Sequence, residues 1–250
     1  MISTGVVVIG GSAVFLALNS GLNLFAKNTS VNAAHQQMLK AINHMTTDVH
    51  SAVSIPQLVN SNLASYTGTG SAAGISMQVY SMGPFQTTGG SSPTFNSTLI
   101  TVTTGTTTRP AVGQRVIFPA HLVEEDIVAS VPNASNSART DLTIANPVWR
   151  NVGIFANCLI TDRIAFAVSN GELRYYPRAS DTATYHVLAR GVTTATPFRF
   201  GTYPGGTTNN RMIVGTLALT DPTYSNRGYQ ALGLSVNFQL PMRTLLTNYR

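Results

Sequence analysis

The chain has few charged residues, few lysines and almost no cysteine. Only 10% of its 250 residues are charged, against about 25% in ordinary soluble domains. The formal net charge is +6, but the arginines are scattered singly, so we predict no nucleic-acid partner. The one cysteine, Cys158, excludes an intrachain disulfide. It lies in the apolar stretch IFANCLI, which predicts a buried small side chain.

Charge is nearly absent from the N-terminal part of the chain. Between residues 1 and 108 only Lys27, Lys40 and Asp48 are charged, and residues 1–26 contain no ionisable side chain. As an α-helix, residues 1–26 would be about 39 Å long, which exceeds the hydrocarbon core of a bilayer, about 30 Å. This run predicts a helix surrounded by lipid or by other apolar helices.

The apolar run continues into an amphipathic pattern over residues 28–53. Apolar side chains recur there at spacings of three and four, which predicts one buried side of an α-helix. They are Val31, Ala34, Met38, Ala41, Met45, Val49 and Ala52. The first proline is Pro56, so we predict one helical unit over residues 1–53. Asn19, Ser20 and Gly21 favour a local break within it.

Residues 54–250 have the pattern of a β-rich head. Turn-forming residues dominate 65–74, 82–93 and 203–210, and strand-like runs lie at 75–80, 99–103, 115–118, 212–220 and 232–240. Asn170–Gly171, between two alternating runs, predicts a hairpin with a type I′ turn. The predicted fold class is therefore α+β: a long N-terminal helix, apolar in its first half and amphipathic in its second, followed by a β-rich globular head.

This architecture resembles a type IV pilin or a type II secretion pseudopilin. Asp48, Val49, Ser51 and Ala52 are similar to the residues that lead from helix to head in the longer members. The SNGELRYY hairpin, followed by VLARGVTTATPFRF, is similar to their sheet regions. The resemblance implies a structural subunit of an extracellular filament, inserted in the inner membrane before assembly. Its partners would be copies of itself and the pilus or secretion assembly machinery.

Small residues in the apolar run are the candidate assembly positions. Helices that pack without water between them approach most closely at small side chains. The candidates are Gly5, Gly10, Gly11, Ala13 and Ala17. We expect them to lie between identical helices of a homo-oligomeric helical filament.

Two other functions remain open from the sequence. The chain could be a minor pseudopilin at the tip of a secretion or pilus complex, in which case it would be rare in purified fibres. It could also be a membrane-anchored adhesion or binding module, whose head would bind its ligand as a monomer. A filament subunit would instead dominate the fibres.

Catalytic and metal-binding motifs are not found in the sequence. His35, His44 and His50 do not form the HExxH pattern, and a polar helix face explains them better. The three adjacent acidic residues 124–126 are more typical of a solvated strand or loop than of a cation site. We therefore predict a protein that is not an enzyme and has no cofactor or metal site.

Three asparagines lie in sequons for N-glycosylation: Asn28, Asn96 and Asn133. They are possible glycosylation sites. In a chain this rich in asparagine, serine and threonine, several such triplets also arise by chance.

Overall fold

The fold is that of a computed structural model, which describes residues 2–68, 70–88, 94–105, 108–220 and 233–241. For residues 2–14 it describes the backbone but not the side chains. The described helix, α1, is Ile2–Ser51, and a 3-10 turn covers Pro119–His121. The described strands are β1 Gln57–Val59, β2 Gly74–Thr87, β3 Leu99–Thr103, β4 Arg115–Phe118, β5 Val123–Asn133, β6 Asn136–Ile144, β7 Asn157–Ser169, β8 Glu172–Tyr176, β9 His186–Arg190, β10 Phe198–Thr202, β11 Thr208–Thr220 and β12 Gly233–Pro241.

The second half of α1 buries the apolar side that the sequence predicted. The residues of this side with no exposed surface are Met38, Ala41, Met45, Val49 and Ala52. Val31 and Ala34, nearer the N-terminus, are only partly buried. The amphipathic pattern is therefore confirmed, and its last four turns belong to the core of the head.

The helix is continuous through Asn19, Ser20 and Gly21, where the sequence predicted a local break. That prediction is wrong for the single chain. Each of these residues keeps its backbone N–H, and a glycine inside a helix costs only about 1 kcal/mol relative to alanine. Without a proline, the hydrogen bonds of the neighbouring turns are enough to maintain the helix.

Strands β1–β9 form one antiparallel sheet in the order β1-β2-β3-β6-β5-β4-β7-β8-β9. Strands β2 and β7 also pair directly, with Gly74 opposite Ala167 and Gln86 opposite Asn157. Six strands, β2, β3, β6, β5, β4 and β7, therefore close into a ring. Its interior is an apolar cluster that includes Val102, Phe118 and Leu142.

Helix α1 lies between this sheet and a second one. Strands β10, β11 and β12 form a three-stranded antiparallel sheet. The helix packs on β2 and β9 of the large sheet and on β11 and β12 of the small one. The hydrophobic core between them contains Met45 of the helix, Phe166 of β7 and Phe238 of β12. The helix thus closes the gap between the two sheets.

Each strand-like run of the sequence lies in a strand over its described residues; residue 232, the first of the last run, is outside them. The β7–β8 hairpin turns at Asn170 and Gly171, whose φ angles are 52° and 72°, as a type I′ turn requires. The three turn predictions hold only in part: 65–74 ends on the first residue of β2, 203–210 runs into β11 at Thr208, and 82–93 has its residues 89–93 outside the described ones. Residues 82–87 continue β2, which accommodates Gly83 and Pro84 through two register shifts against β7. The remaining described strands were missed, because their mixture of apolar and polar residues gives little periodicity.

Removing the Met45 side chain should destabilise the head strongly. Met45→Ala leaves a cavity where α1 meets both sheets, so we expect the free energy of unfolding to fall by about 2–5 kcal/mol. Leu39, on the same helix, is 47% exposed, so Leu39→Ala should change it by less than about 1 kcal/mol. Denaturant unfolding of the two variants measures the difference. Equal losses would contradict this packing of the helix.

Candidate functional site

The candidate site is the part of α1 that extends beyond the head. The backbone N–H of Arg190 in β9 donates a hydrogen bond to the Gln37 side chain, 3.3 Å away. Among the helix side chains that the structure describes, Met38 is the first that is fully buried. Side chains 15–36 are exposed or only partly buried. This stretch of 22 residues is about 33 Å long, and Lys27 is its only charged residue.

Residues 15–26, which we call the apolar segment, expose large apolar side chains to an unusual degree. Six of them are between 60% and 72% exposed. They are Phe15, Leu16, Leu18, Leu22, Leu24 and Phe25. Monomeric soluble proteins rarely expose so much contiguous apolar surface, and larger patches mark an interaction site.

The exposed side chains surround the helix rather than forming one stripe. At 100° per residue, Phe15, Leu16 and Leu24 point in three widely separated directions. A helix that is apolar all round is normally buried on all sides, in a large core or in a membrane. The apolar segment is therefore better suited to contact several helices or lipids on all its sides than to bind in one groove on one side.

The energy available from burying the apolar segment is large. Burying one large apolar side chain is worth about 1.5–3 kcal/mol, so six give roughly 9–18 kcal/mol. Loss of translational and rotational freedom on association costs about 4–15 kcal/mol. The gain is counted for transfer out of water, so it keeps the segment in a membrane or among other helices, and close packing at small residues decides between the two.

The small residues of the site have room around them in the single chain. A Cβ atom added at Gly21 would meet no atom within 4 Å, and Ala17 is exposed. Nothing within the described chain therefore requires small side chains at these two positions. The side chains at Gly5, Gly10, Gly11 and Ala13 lie outside the described ones, although their backbone is helical.

The sequence singled out the small residues of the site but not its large ones. Phe15, Leu22 and Phe25 account for much of the exposed apolar area, and none of them was named as an assembly residue. Their signal in the sequence was the uncharged run itself.

The junction between helix and head contains a pair of polar groups, His44 and Asp48. His44 Nε2 lies 3.7 Å from Asp48 Oδ2, and the His44 ring meets the Tyr175 ring edge-on with 4.6 Å between centroids. Burial raises the pKa of the Asp48 carboxyl, and the nearby His44 partly offsets this rise. These contacts connect α1 to β8 and fix the direction in which the helix leaves the head.

The described residues form no cluster that could hold a metal ion. Nowhere in the described ranges do three or more His, Cys, Asp or Glu side chains lie close enough to hold a metal ion. Glu124 and Asp126 both bind Arg115 instead. Cys158 is fully buried, as predicted, and burial raises the pKa of its thiol to about 12, so it is a poor nucleophile.

The three sequon asparagines differ in their surroundings. Asn28, on α1, and Asn96, in the loop before β3, are exposed. The Asn133 side-chain nitrogen donates to both carboxylate oxygens of Asp141, each 3.0 Å away. Asn133 is thus the least accessible of the three to a modifying enzyme.

Within the described part of the chain, no helix combines the length and the hydropathy needed to cross a membrane.

Comparison with known proteins gives no assignment. No family model, no curated protein and no solved structure matches the chain.

Proposed function

We propose that the chain is the structural subunit of an extracellular, type IV pilus-like filament, and that it polymerises through the N-terminal part of α1. The observation that carries this proposal is the apolar segment, whose large side chains are exposed on all sides of the helix. In the filament, copies of the segment pack on one another and form a dry centre. Before assembly, the same stretch is held in the inner membrane.

The distribution of charge supports a location of the two sheets on the outside of the filament. The charged side chains lie almost entirely beyond residue 108, and charged groups belong where water is. The second half of α1 is fixed between the two sheets, so a head that faces solvent directs the apolar segment inward.

Protease digestion of intact fibres tests this arrangement. We expect cleavage in exposed head loops and protection of residues 15–26, because a buried helix gives a protease no access. Detergent-dispersed subunits serve as the control and should be cut within the segment. Rapid cleavage there in intact fibres would contradict the proposal.

A second candidate is a membrane-anchored binding module, and one feature of the head favours it. Phe95, Trp149 and Phe155 are all at least 50% exposed on neighbouring loops. A hydrogen bond from the Phe95 backbone N–H to the Asn151 side chain, 2.6 Å long, joins these loops. Exposed aromatic groups are common in binding surfaces. Substitutions in the helix distinguish the two candidates. A membrane anchor that does not polymerise would tolerate bulky side chains that a filament would not.

A further inference from the structure

A cavity of about 490 Å³ lies on the head, away from the apolar segment. It opens between residues 53–55, which follow α1, the first residue of β1, and strands β2, β4 and β7. Along β2 and β7, Gln78 lies opposite Arg163. Both side chains lie on the side of the sheet opposite Met77 and Ile164, which face the helix. The volume is within the range of small-molecule sites, about 300–1,000 Å³.

Arg163 is the notable group in this cavity. Its guanidinium Nε donates to Ser76 Oγ, 2.8 Å away. No carboxylate of the described residues lies within ion-pair distance of it. Arg115, which also lines the cavity, by contrast forms ion pairs with Glu124 and with Asp126. The cavity therefore contains one guanidinium that is ion-paired and one that has no carboxylate of the described side chains within ion-pair distance.

The surroundings of Arg163 disfavour its charge. Burial lowers the pKa of its guanidinium, and the nearby positive charge of Arg115 lowers it further, with a smaller opposite effect of Asp126. A half-buried cation that is not in direct contact with a counterion is costly. An anion placed in the cavity would relieve this cost.

The rest of the lining determines what kind of anion fits. Ile55 and Leu122, which line the cavity, are apolar side chains with more than 40% of their surface exposed. Glu124 also lines it, so a doubly charged anion would be repelled about twice as strongly as a singly charged one. A guanidinium binds a planar carboxylate through two parallel hydrogen bonds.

We propose that this cavity binds a small amphiphilic monocarboxylate, with its carboxylate on Arg163 and its apolar part against Ile55 and Leu122. This site is independent of filament assembly, because it lies on the head and shares no residue with the apolar segment.

Isothermal titration calorimetry of the full-length protein with octanoate tests the proposal. Octanol, which lacks the charge, and octyl phosphate, which carries more of it, are the comparison ligands. We expect octanoate to bind at least tenfold more tightly than either one. Equal binding of octanol would overturn the role of Arg163, and tighter binding of octyl phosphate would overturn the assignment to a monocarboxylate.

Two variants show whether the binding occurs in the cavity. Arg163→Gln keeps a donor near Ser76 but removes the charge, and we expect at least a tenfold loss of octanoate affinity. Arg190→Gln, at a side chain of β9 that is 71% exposed, is the matched control and should bind normally. Circular dichroism verifies that both fold. If Arg163→Gln does not fold, Leu122→Asp replaces it and should weaken octanoate binding by a similar factor. Unchanged affinity in the folded variant would overturn the proposal.

Discussion

Replacing Leu22 by aspartate is expected to abolish filament formation while the head stays folded. Leu22 is 67% exposed in the single chain, so Leu22→Asp removes no contact that the described structure contains. In a filament, the new carboxylate would be buried among apolar helices in every subunit. An unpaired buried charge costs several kcal/mol, which we expect to lower the fibre yield at least a hundredfold.

The control for this variant is Leu122→Asp. Leu122 is an exposed leucine on the head, and its φ of 55° is a conformation that aspartate tolerates. The same chemical change there should leave the fibre yield unchanged. The measurement is the amount of sedimentable fibre relative to total subunit, with circular dichroism to verify folding. Normal fibres from Leu22→Asp would mean that the apolar segment is not buried in the filament.

Enlarging Ala17 is the second strong test, and it separates a filament from a plain membrane anchor. Ala17 is exposed in the single chain, and leucine is nearly as good a helix former as alanine. A lipid-embedded anchor should therefore accept Ala17→Leu. Where neighbouring helices approach closely, overpacking costs about 1–3 kcal/mol per site. Repeated in every subunit, this cost should lower the fibre yield about tenfold or more.

The readout for Ala17→Leu is the ratio of assembled fibre to membrane-bound subunit. Ala134→Leu, at an exposed turn between β5 and β6, controls for added apolar surface. Gly11→Leu should behave like Ala17→Leu, because it places the same bulk in the same run of small residues. If both helix variants assemble as well as the control, close packing at these positions is excluded and the anchored binding module becomes the better explanation.

The helix illustrates how far the sequence can predict this fold. The spacing from Met38 to Ala52 predicted which side of α1 is buried, because a period of 3.6 residues has a direct meaning on a helix. The break at Asn19–Gly21 was predicted wrongly, because helix propensities of single residues are weak against continuous hydrogen bonding. The ring of six strands could not be predicted, because strand pairing between distant residues leaves no local pattern.

The two candidate sites also differ in whether a local sequence pattern reveals them. The uncharged run identified the apolar segment, since the absence of charge over 26 residues is visible without any structure. The cavity at Arg163 had no such signal. Arg115, Ser76 and Arg163 are far apart in the chain, and only the pairing of β2 with β7 and of β7 with β4 brings them together.

The most direct test of the central claim is a three-dimensional image of fibres made by the full-length chain. The account predicts helical symmetry, a central bundle that contains the apolar segments of many copies, and heads on the outside with residues 38–52 still packed between their two sheets. Fibres whose centre is formed by the heads, with the apolar segments outside, would contradict it. So would a preparation that contains only dispersed, membrane-bound subunits.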